Sequence, residues 1–191
     1  PLQSAKENLI GYPVTFYLSD GFKKVNEPFD VAIITGMGAK LISEILKESK
    51  MDNATYILGA NEKQEVLREY LLNNQYEILD ENVIYDGFYY VFMKVKKGTM
   101  TLSNQELHTG KYLYDKKDAK AYFTHKLNHT NELLNIVSGK RKEELEKEVV
   151  LRIKERDEWI RKYQDITNSK SYRFMMKLQK IKRFILKPFK K

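Results

Sequence analysis

Residues 29–38 read FDVAIITGMG, and this stretch decides the fold. The run from 30 to 34 is short, rich in β-branched residues and free of polar alternation, which predicts a strand buried on both faces in the middle of a parallel sheet. Gly36 and Gly38 then predict a sharp turn that lets another group approach the backbone. Ligands bind beyond the carboxyl ends of strands in open α/β sheets, so the turn is a candidate binding site, although a tight turn alone also explains the glycines.

Helical and strand patterns alternate along the first half of the chain. The dipeptide Asp86-Gly87 joins the last two strand patterns tightly and predicts a hairpin. Alternating elements closed by a hairpin predict an α/β fold whose parallel sheet has an antiparallel edge. The predicted helices cover residues 2–11, 40–50 and 64–73, and the other predicted strands cover residues 14–18, 54–58, 76–85 and 87–96.

Charge is divided unevenly between the two halves of the 191 residues. Residues 1–98 carry 11 Lys and Arg against 14 Asp and Glu, whereas residues 99–191 carry 23 against 12. The net charge of +8 therefore belongs to the second half. This asymmetry indicates a catalytic or structural body with a basic appendage that faces a polyanion, either nucleic acid or a membrane surface.

Composition also excludes several classes of protein. The chain has no cysteine, which excludes disulfides and thiolate metal sites and is typical of a reducing cytoplasm, the localisation we expect. No apolar run approaches membrane-spanning length, and no signal peptide is visible. The sequence begins at Pro1 without an initiator Met, and we expect it to be a fragment or to have lost its beginning.

The second half has the pattern of two long helices. Apolar residues recur at helical spacing over 113–137 and 143–163, and Ser138-Gly139 separates the two runs. This arrangement predicts an antiparallel, coiled-coil-like helical hairpin with Trp159 in its core. We therefore expect three domains, at residues 1–98, 99–166 and 167–191.

The last predicted domain is a basic amphipathic tail. Residues 167–191 hold nine Lys or Arg and no Asp or Glu, and Phe174, Leu178, Ile181 and Ile185 lie on one helical face. Such a helix binds RNA phosphates or lies in an anionic membrane interface, or it simply docks on the helical hairpin.

His125 and His129 lie four residues apart on one predicted helix, a spacing that two ligands of one metal often have. No third ligand has a matching spacing, and the run lacks the Glu of the zinc-protease motif. We predict no metal site, and interpret the pair as a solvated helical face or an RNA contact.

Several motifs together resemble one family. PLQSAKENL at the start, SDG at 19–21, TGMG at 35–38 followed by LISEIL, and LREYL at 67–71 are similar to the bacterial TrmK family of tRNA adenine-N1 methyltransferases. The resemblance extends over about residues 1–97 and more loosely into the helices beyond. It implies a Rossmann-like class I methyltransferase sheet, incomplete at its amino end, followed by a helical domain. It also implies S-adenosyl-L-methionine as cofactor and N1 of adenine 22 in tRNA as the methylated atom.

The resemblance also implies roles for individual residues. Asp20, Gly21, Thr35 and Gly36 are expected to bind the cofactor. No catalytic acid or base is assigned, because adenine N1 is an unprotonated lone pair that needs chiefly to be aligned with an activated methyl group. Residues expected to contact the substrate are Met37, Gly38, Asn61, Lys140, Arg141 and Lys142.

Two features depart from the family pattern. The glycine-containing loop and the acidic residue that seat the cofactor's amino-acid end and its ribose would both precede Pro1, so this chain alone is expected to be unable to bind the cofactor. The family's Gln-Pro-Asn is replaced by Gly59-Ala60-Asn61, which keeps only the Asn.

Two other functions are compatible with the sequence. One is a non-catalytic protein in which a degenerate Rossmann-like body delivers a basic helical arm to RNA or to an anionic membrane. The other is a piece of a membrane-associated glycosyltransferase, suggested by a faint similarity of the SKSYRFMMKLQKIKRF tail. The latter requires an acidic metal-binding pair at a strand end, and the sequence has no evident pair.

Overall fold

The computed structural model describes residues 2–170 together with Arg173 and Met176. The chain divides into two compact units, which we call unit 1 and unit 2. Unit 1 comprises Pro1–Asn82 and Tyr90–Leu107, and unit 2 comprises Val83–Tyr89 and His108–Lys191. The domain boundaries expected from the sequence stay a prediction.

The described residues form four strands and six helices. They are α1 (Leu2–Asn8), β1 (Val31–Met37), α2 (Ala39–Lys47), β2 (Thr55–Ala60), α3 (Gln64–Asn73), β3 (Tyr76–Asp86), β4 (Phe88–Lys97), α4 (Asn104–Thr109), α5 (Ala119–Leu134) and α6 (Lys140–Asn168).

The strands form one mixed sheet in the order β1-β2-β4-β3. β1 and β2 are parallel, and β4 is antiparallel to β2. β3 and β4 are joined at Gly87, whose φ of +71° is an accessible conformation for glycine. These pairings confirm the predicted parallel strands and the predicted hairpin.

Helices α2 and α3 pack on each other and bury their apolar stripes beside the sheet. Ile42 and Leu46 of α2 and Leu67 and Leu71 of α3 are at most 1% exposed. Each such side chain contributes about 1.5–3 kcal/mol when fully buried. The sheet supplies buried partners along β2 and β4: Tyr56, Leu58, Val91, Met93 and Val95.

A buried ion pair joins three elements of unit 1. The Arg68 Nε on α3 donates to Glu81 Oε1 on β3 at 2.7 Å, and the two side chains are 2% and 0% exposed. The Arg68 Nη1 also donates to the Leu107 carbonyl at 2.8 Å. Because removal of either charge would leave the other desolvated without its counter-ion, this contact fixes α3 and α4 relative to β3.

The position predicted for residues 30–34 is wrong. β1 lies at the edge of the described sheet, and Val31 and Ile33 are 56% and 72% exposed. Ile34 alone of the strand is buried. The unbroken apolar run suggested burial on both faces, but helix packing covers only the face that carries Ile34.

The strand predicted at residues 14–18 is also absent, because that segment is irregular in the structure. Val14 and Leu18 are 44% and 77% exposed, and the described residues provide no strand that pairs with them. β-branched and aromatic residues favour strands through packing on a sheet, which this segment lacks. The predicted first helix forms as α1, but it has no buried residue.

Unit 2 contains the two predicted long helices, and α5 packs against α6. The helices are antiparallel, because Lys126 meets Glu155 at 3.8 Å while Tyr114, just before α5, accepts from Lys162 at 2.7 Å farther along α6. Trp159 is 3% exposed, which confirms its predicted place in the core.

A buried carboxylate stabilises this helix pair. Glu155 is 3% exposed and lies 3.0 Å from Arg152, 3.8 Å from Lys126 and 3.9 Å from His108 Nδ1. Burial alone would lower the pKa of Arg152, but Glu155 and Glu148 raise it above its usual value. The charged guanidinium therefore bridges Glu148 and Glu155 across about two turns of α6.

Among residues 2–170, no helix is both long and apolar enough to cross a membrane. The same part of the chain contains no group of three or more His, Asp or Glu side chains positioned to hold a metal ion. Most of the amphipathic tail predicted at 167–191 lies outside the described residues.

The buried ion pair gives a direct stability prediction. Glu81→Leu should lower the free energy of unfolding by about 3–5 kcal/mol, because it leaves the Arg68 guanidinium buried without its counter-ion. The double variant Arg68→Met/Glu81→Leu should recover a large part of that loss in urea unfolding. The control is the half-exposed pair Lys96–Glu77, at 3.7 Å, where Glu77→Leu should cost no more than about 1 kcal/mol. Equal losses at Glu81 and Glu77 would contradict the role assigned to burial.

Candidate functional site

The candidate site lies where β1 and β2 end side by side. The two strands pair Thr35 with Gly59 and Met37 with Ala60, and the register shifts between Thr35 and Met37. Gly36 occupies this irregularity with a φ of +77°. The predicted turn is thus a bulge at the end of β1, which bends the strand immediately before α2 begins.

Asn61 belongs to the same edge. Its backbone N–H donates to the Met37 carbonyl at 3.0 Å, which ties the loop after β2 to the end of β1. Gln64, which is buried, donates its side-chain amide to the Ala60 carbonyl at 3.1 Å and closes this loop from the other side. The structure therefore brings residues 35–38 together with Asn61, and their roles in cofactor and substrate binding stay predictions.

The backbone at the bulge is open to approach. A Cβ added at Gly36 or Gly38 would meet nothing within 4 Å. A Cβ added at Gly59 would lie 3.0 Å from the Thr35 side chain and 3.1 Å from Phe92. Gly59 is thus required by close packing within the sheet, whereas Gly36 and Gly38 border free space.

Helix α2 begins at this edge without a side-chain cap. Its N-cap is Gly38, which offers no side-chain acceptor to the first-turn N–H groups. These groups carry the partial positive charge of the helix amino end. The edge therefore presents open backbone, uncapped N–H donors and the exposed Asn61 amide in one place.

Asp20 and Gly21 lie elsewhere in unit 1. A Cβ at Gly21 would be 3.2 Å from the Ile45 side chain, near the carboxyl end of α2. Asp20 is exposed and accepts a hydrogen bond from Lys23 Nζ at 2.6 Å, which raises the pKa of Lys23. The cofactor role expected for Asp20 and Gly21 stays a prediction.

Aromatic packing shows where this segment lies along the strands. Phe22 stacks on Phe29 at 5.2 Å between ring centroids, and both rings pack edge-on against Tyr56 at 6.2 Å. Phe29 precedes β1, and Tyr56 is near the start of β2. The segment after Asp20 therefore lies at the amino ends of the parallel strands, opposite the bulge.

The three predicted cationic substrate contacts lie in unit 2. Lys140, Arg141 and Lys142 form the exposed first turn of α6, and Arg141 donates to Glu144 at 3.0 Å. Their role as substrate contacts stays a prediction.

Sequence reasoning missed two side chains that hold the site in place. In the sequence, Gln64 is only the first residue of a predicted helix, and Arg68 is only part of the LREYL motif. Lys63, the N-cap of α3, has a left-handed φ of +55°, so the loop from Asn61 turns sharply before Gln64 reaches back. Neither residue type signals such a contact in the sequence, because Gln and Arg on an amphipathic helix are mostly exposed.

The architecture defines the class of protein first. A parallel pair extended by an antiparallel hairpin and flanked by helices is a Rossmann-like mixed sheet, and it matches a solved protein of the NADB-Rossmann superfamily from Streptococcus agalactiae. That structure shares 27% identity and a TM-score of 0.60, over 66% of this chain and 60% of the other.

The family follows from the sequence. The family of tRNA (adenine(22)-N(1))-methyltransferases, TrmK, matches residues 1–169. The chain belongs to this family, which confirms the resemblance stated from its motifs. No curated protein sequence matches the chain.

Two further solved structures are similar to this chain. A candidate tRNA (m1A22) methyltransferase from Streptococcus pneumoniae shares 26% identity and a TM-score of 0.60, over 68% of this chain and 61% of the other. The TrmK of M. capricolum, solved with S-adenosyl-homocysteine, shares the fold at 23% identity and a TM-score of 0.61, over 74% and 67%. The chain thus spans about 60% of the length of the first two structures.

The bulge predicts that the same substitution has different effects on stability at Gly36 and at Gly38. Gly36→Ser should lower the free energy of unfolding by about 1–2 kcal/mol, because an L side chain is strained at a φ of +77°. Gly38→Ser should change it by only a few tenths of a kcal/mol, because Gly38 has a φ of −70° and Ser is a good N-cap. Thermal and urea unfolding measure both. Equal effects at the two positions would contradict the assigned bulge.

Proposed function

We propose that this chain acts in S-adenosyl-L-methionine-dependent methylation of N1 of adenine 22 in tRNA. The observation that carries this proposal is membership of the TrmK family over residues 1–169. The meeting of residues 35–38 with Asn61 at the carboxyl edge of the sheet supports it, because that is the edge where ligands of such sheets bind.

The residues at this edge fit part of the cofactor. Open backbone at Gly36 and Gly38 admits a flat or narrow group, and the uncapped start of α2 suits a negatively charged one. The acidic side chain expected to bind the cofactor, Asp20, lies at the opposite end of the strands and is paired with Lys23. The carboxylate that would hold the cofactor is therefore not among the side chains gathered at this edge.

When bound, S-adenosyl-L-methionine supplies an activated methyl group. The protein's own task is alignment, since adenine N1 already carries a free lone pair at neutral pH. The exposed Asn61 amide, with its backbone held by Met37 and its loop closed by Gln64, is well placed to donate a hydrogen bond to a base. N1 lies on the pairing edge of adenine, so the base must leave its stack at a cost of a few kcal/mol, and RNA contacts elsewhere have to offset this cost.

Unit 2 is the proposed source of those contacts. The exposed first turn of α6 presents Lys140, Arg141 and Lys142 toward solvent, and the basic excess of the chain lies in this half. We propose coiled-coil-like packing of α5 and α6 as a rigid support for these cations. A cytoplasmic location follows from a tRNA substrate.

A second candidate function is RNA binding or anionic-membrane binding without catalysis. This alternative includes an association with a glycosyltransferase. The position of Asp20, away from the bulge, favours it. A contact of residues 167–191 with anionic lipid belongs to this alternative. Flotation with anionic vesicles beside a tRNA gel shift over a salt series separates the two partners.

The proposed reaction is tested by the side chain of Asn61. Asn61→Ala should lower kcat/KM for tRNA methylation about tenfold, because it removes one hydrogen bond to the reacting base. The assay measures 1-methyladenosine in digested tRNA by mass spectrometry, with the natural polypeptide that contains these residues. The matched control is Asn53→Ala, an exposed asparagine before β2, which should leave the rate unchanged. A parent protein that forms no 1-methyladenosine would remove the catalytic proposal.

The cationic turn is tested by salt dependence. The triple variant Lys140→Gln/Arg141→Gln/Lys142→Gln should reduce the slope of log affinity for tRNA against log salt concentration by about 2 to 3, because each lost phosphate contact removes about 0.7 to 0.9. Fluorescence anisotropy between 50 and 300 mM salt, concentrations chosen within the range where counterion release dominates, provides the slope.

The control removes the same charge from unit 1. Lys6, Lys47 and Lys50 are all exposed, and their replacement by Gln should change the slope by less than 1 unit, as expected for charges outside the interface. Equal slope changes in the two triple variants would mean that net charge, and not the first turn of α6, governs binding.

A further inference from the structure

Unit 2 carries five rings in contact, four of them in succession and a fifth packed against the second. Ring centroids lie 4.8 Å apart between Tyr85 and Tyr89, 5.3 Å between Tyr89 and His125, and 6.4 Å between His125 and His129. Tyr122 packs under the row, 5.8 Å from Tyr89. We call Tyr85, Tyr89, Tyr122, His125 and His129 the ring row.

Two elements build the ring row. Tyr122, His125 and His129 recur at i, i+3 and i+7 on α5 and so share one stripe of that helix. Tyr85 and Tyr89 come from the tip of the β3–β4 hairpin, on either side of the turn at Gly87. The hairpin tip belongs to unit 2, so all five rings lie in one compact unit.

The ring row is a surface feature. Tyr122 is 7% exposed, whereas Tyr85 is 56% exposed and both histidines are exposed. Rings that served only the core would be covered like Tyr122 and Phe123. Phe88, at the tip of the same hairpin, is 74% exposed and extends the apolar surface.

Lysines outnumber acidic residues in the stretch of chain that carries the rings of α5. Residues 111–129 contain five lysines and two aspartates, besides the two histidines. Lys126 Nζ lies 5.3 Å from the centroid of the Tyr122 ring. Aromatic faces interleaved with lysines are the combination that binds unpaired nucleotides, since bases stack on the rings while cations meet the phosphates.

The arrangement of the two histidines favours ring faces over a metal site. The His125 and His129 rings are nearly parallel, at 12°, with centroids 6.4 Å apart, as in a stack. Within residues 2–170, no third His or carboxylate joins them to form a metal-binding group. The same two residues are therefore better explained as ring faces than as ligands.

We propose that the ring row is a stacking platform for unpaired bases of the substrate RNA. The platform would receive the planar faces of exposed loop bases and hold the RNA by contacts that need no particular base identity. Insofar as that RNA is tRNA, the inference rests on the proposed function. The ring row would give the RNA a second, largely uncharged contact besides the cationic first turn of α6.

The test replaces ring faces while keeping apolar bulk. Tyr85→Leu and His125→Leu, singly and together, are exposed substitutions whose folding is checked by circular dichroism. Affinity for a tRNA transcript and for a single-stranded RNA oligonucleotide containing 2-aminopurine is measured over a salt series. We expect the double variant to bind roughly 5- to 100-fold more weakly, with an unchanged salt slope and a smaller quenching of 2-aminopurine fluorescence on binding.

The matched control is Tyr12→Leu, which changes a tyrosine of unit 1 that is at least as exposed as Tyr85 and should leave RNA affinity unchanged. The inference is overturned if the ring-row variants bind RNA as tightly as Tyr12→Leu does. It is also overturned if they abolish a self-association, seen by light scattering without RNA, while RNA affinity stays the same.

The two proposals fail separately in these experiments. A parent protein that methylates tRNA, with ring-row variants that bind RNA normally, leaves the proposed reaction standing and removes the platform. A parent protein that forms no 1-methyladenosine, with ring-row variants that lose RNA affinity at constant salt slope, keeps the platform and removes the reaction.

Discussion

The parallel pairing of β1 with β2 is the constraint on which the candidate site depends. Since both strands run the same way, their carboxyl ends meet at one edge, and the hydrogen bond from the Asn61 N–H to the Met37 carbonyl at 3.0 Å closes that edge. The helix that follows β2 is in turn fixed to another strand of the sheet. Arg68 on α3 forms a fully buried ion pair with Glu81 on β3. The loop that carries Asn61 is therefore held between β2 and α3, which are both fixed in place.

Much of the fold of unit 1 was predictable because its signals are local. The helix at residues 64–73 and the hairpin around Gly87 are both confirmed. Their signals, helical periodicity and a tight turn, depend only on residues that are close together in the sequence. The two wrong predictions concern which parts of the chain lie next to each other in the folded protein. The apolar run at 30–34 gave no sign that one face of β1 would lie uncovered, and residues 14–18 have strand composition but no strand to pair with.

Some residues of the candidate site could likewise be placed from the sequence, and others could not. Residues 35–38 and Asn61 could be placed together in advance, because the carboxyl ends of parallel strands are neighbours by topology. The position of Asp20 could not, since it depends on how Phe22 packs against Phe29 and Tyr56 at the opposite end. The ring row could not be predicted from the sequence either. It forms only because the hairpin tip contacts α5, which lies about thirty residues later in the chain.

The two units thus carry the two kinds of surface on which the proposed function rests: an open edge of backbone in unit 1, and cations with exposed rings in unit 2. The most direct test of the central claim is an amide-resolved NMR titration of the natural polypeptide that contains these residues with S-adenosyl-homocysteine. The account predicts that the backbone amides of Gly36, Gly38 and Asn61 shift together and saturate with one affinity. Shifts confined to the segment around Asp20, with these three amides unmoved, would contradict it.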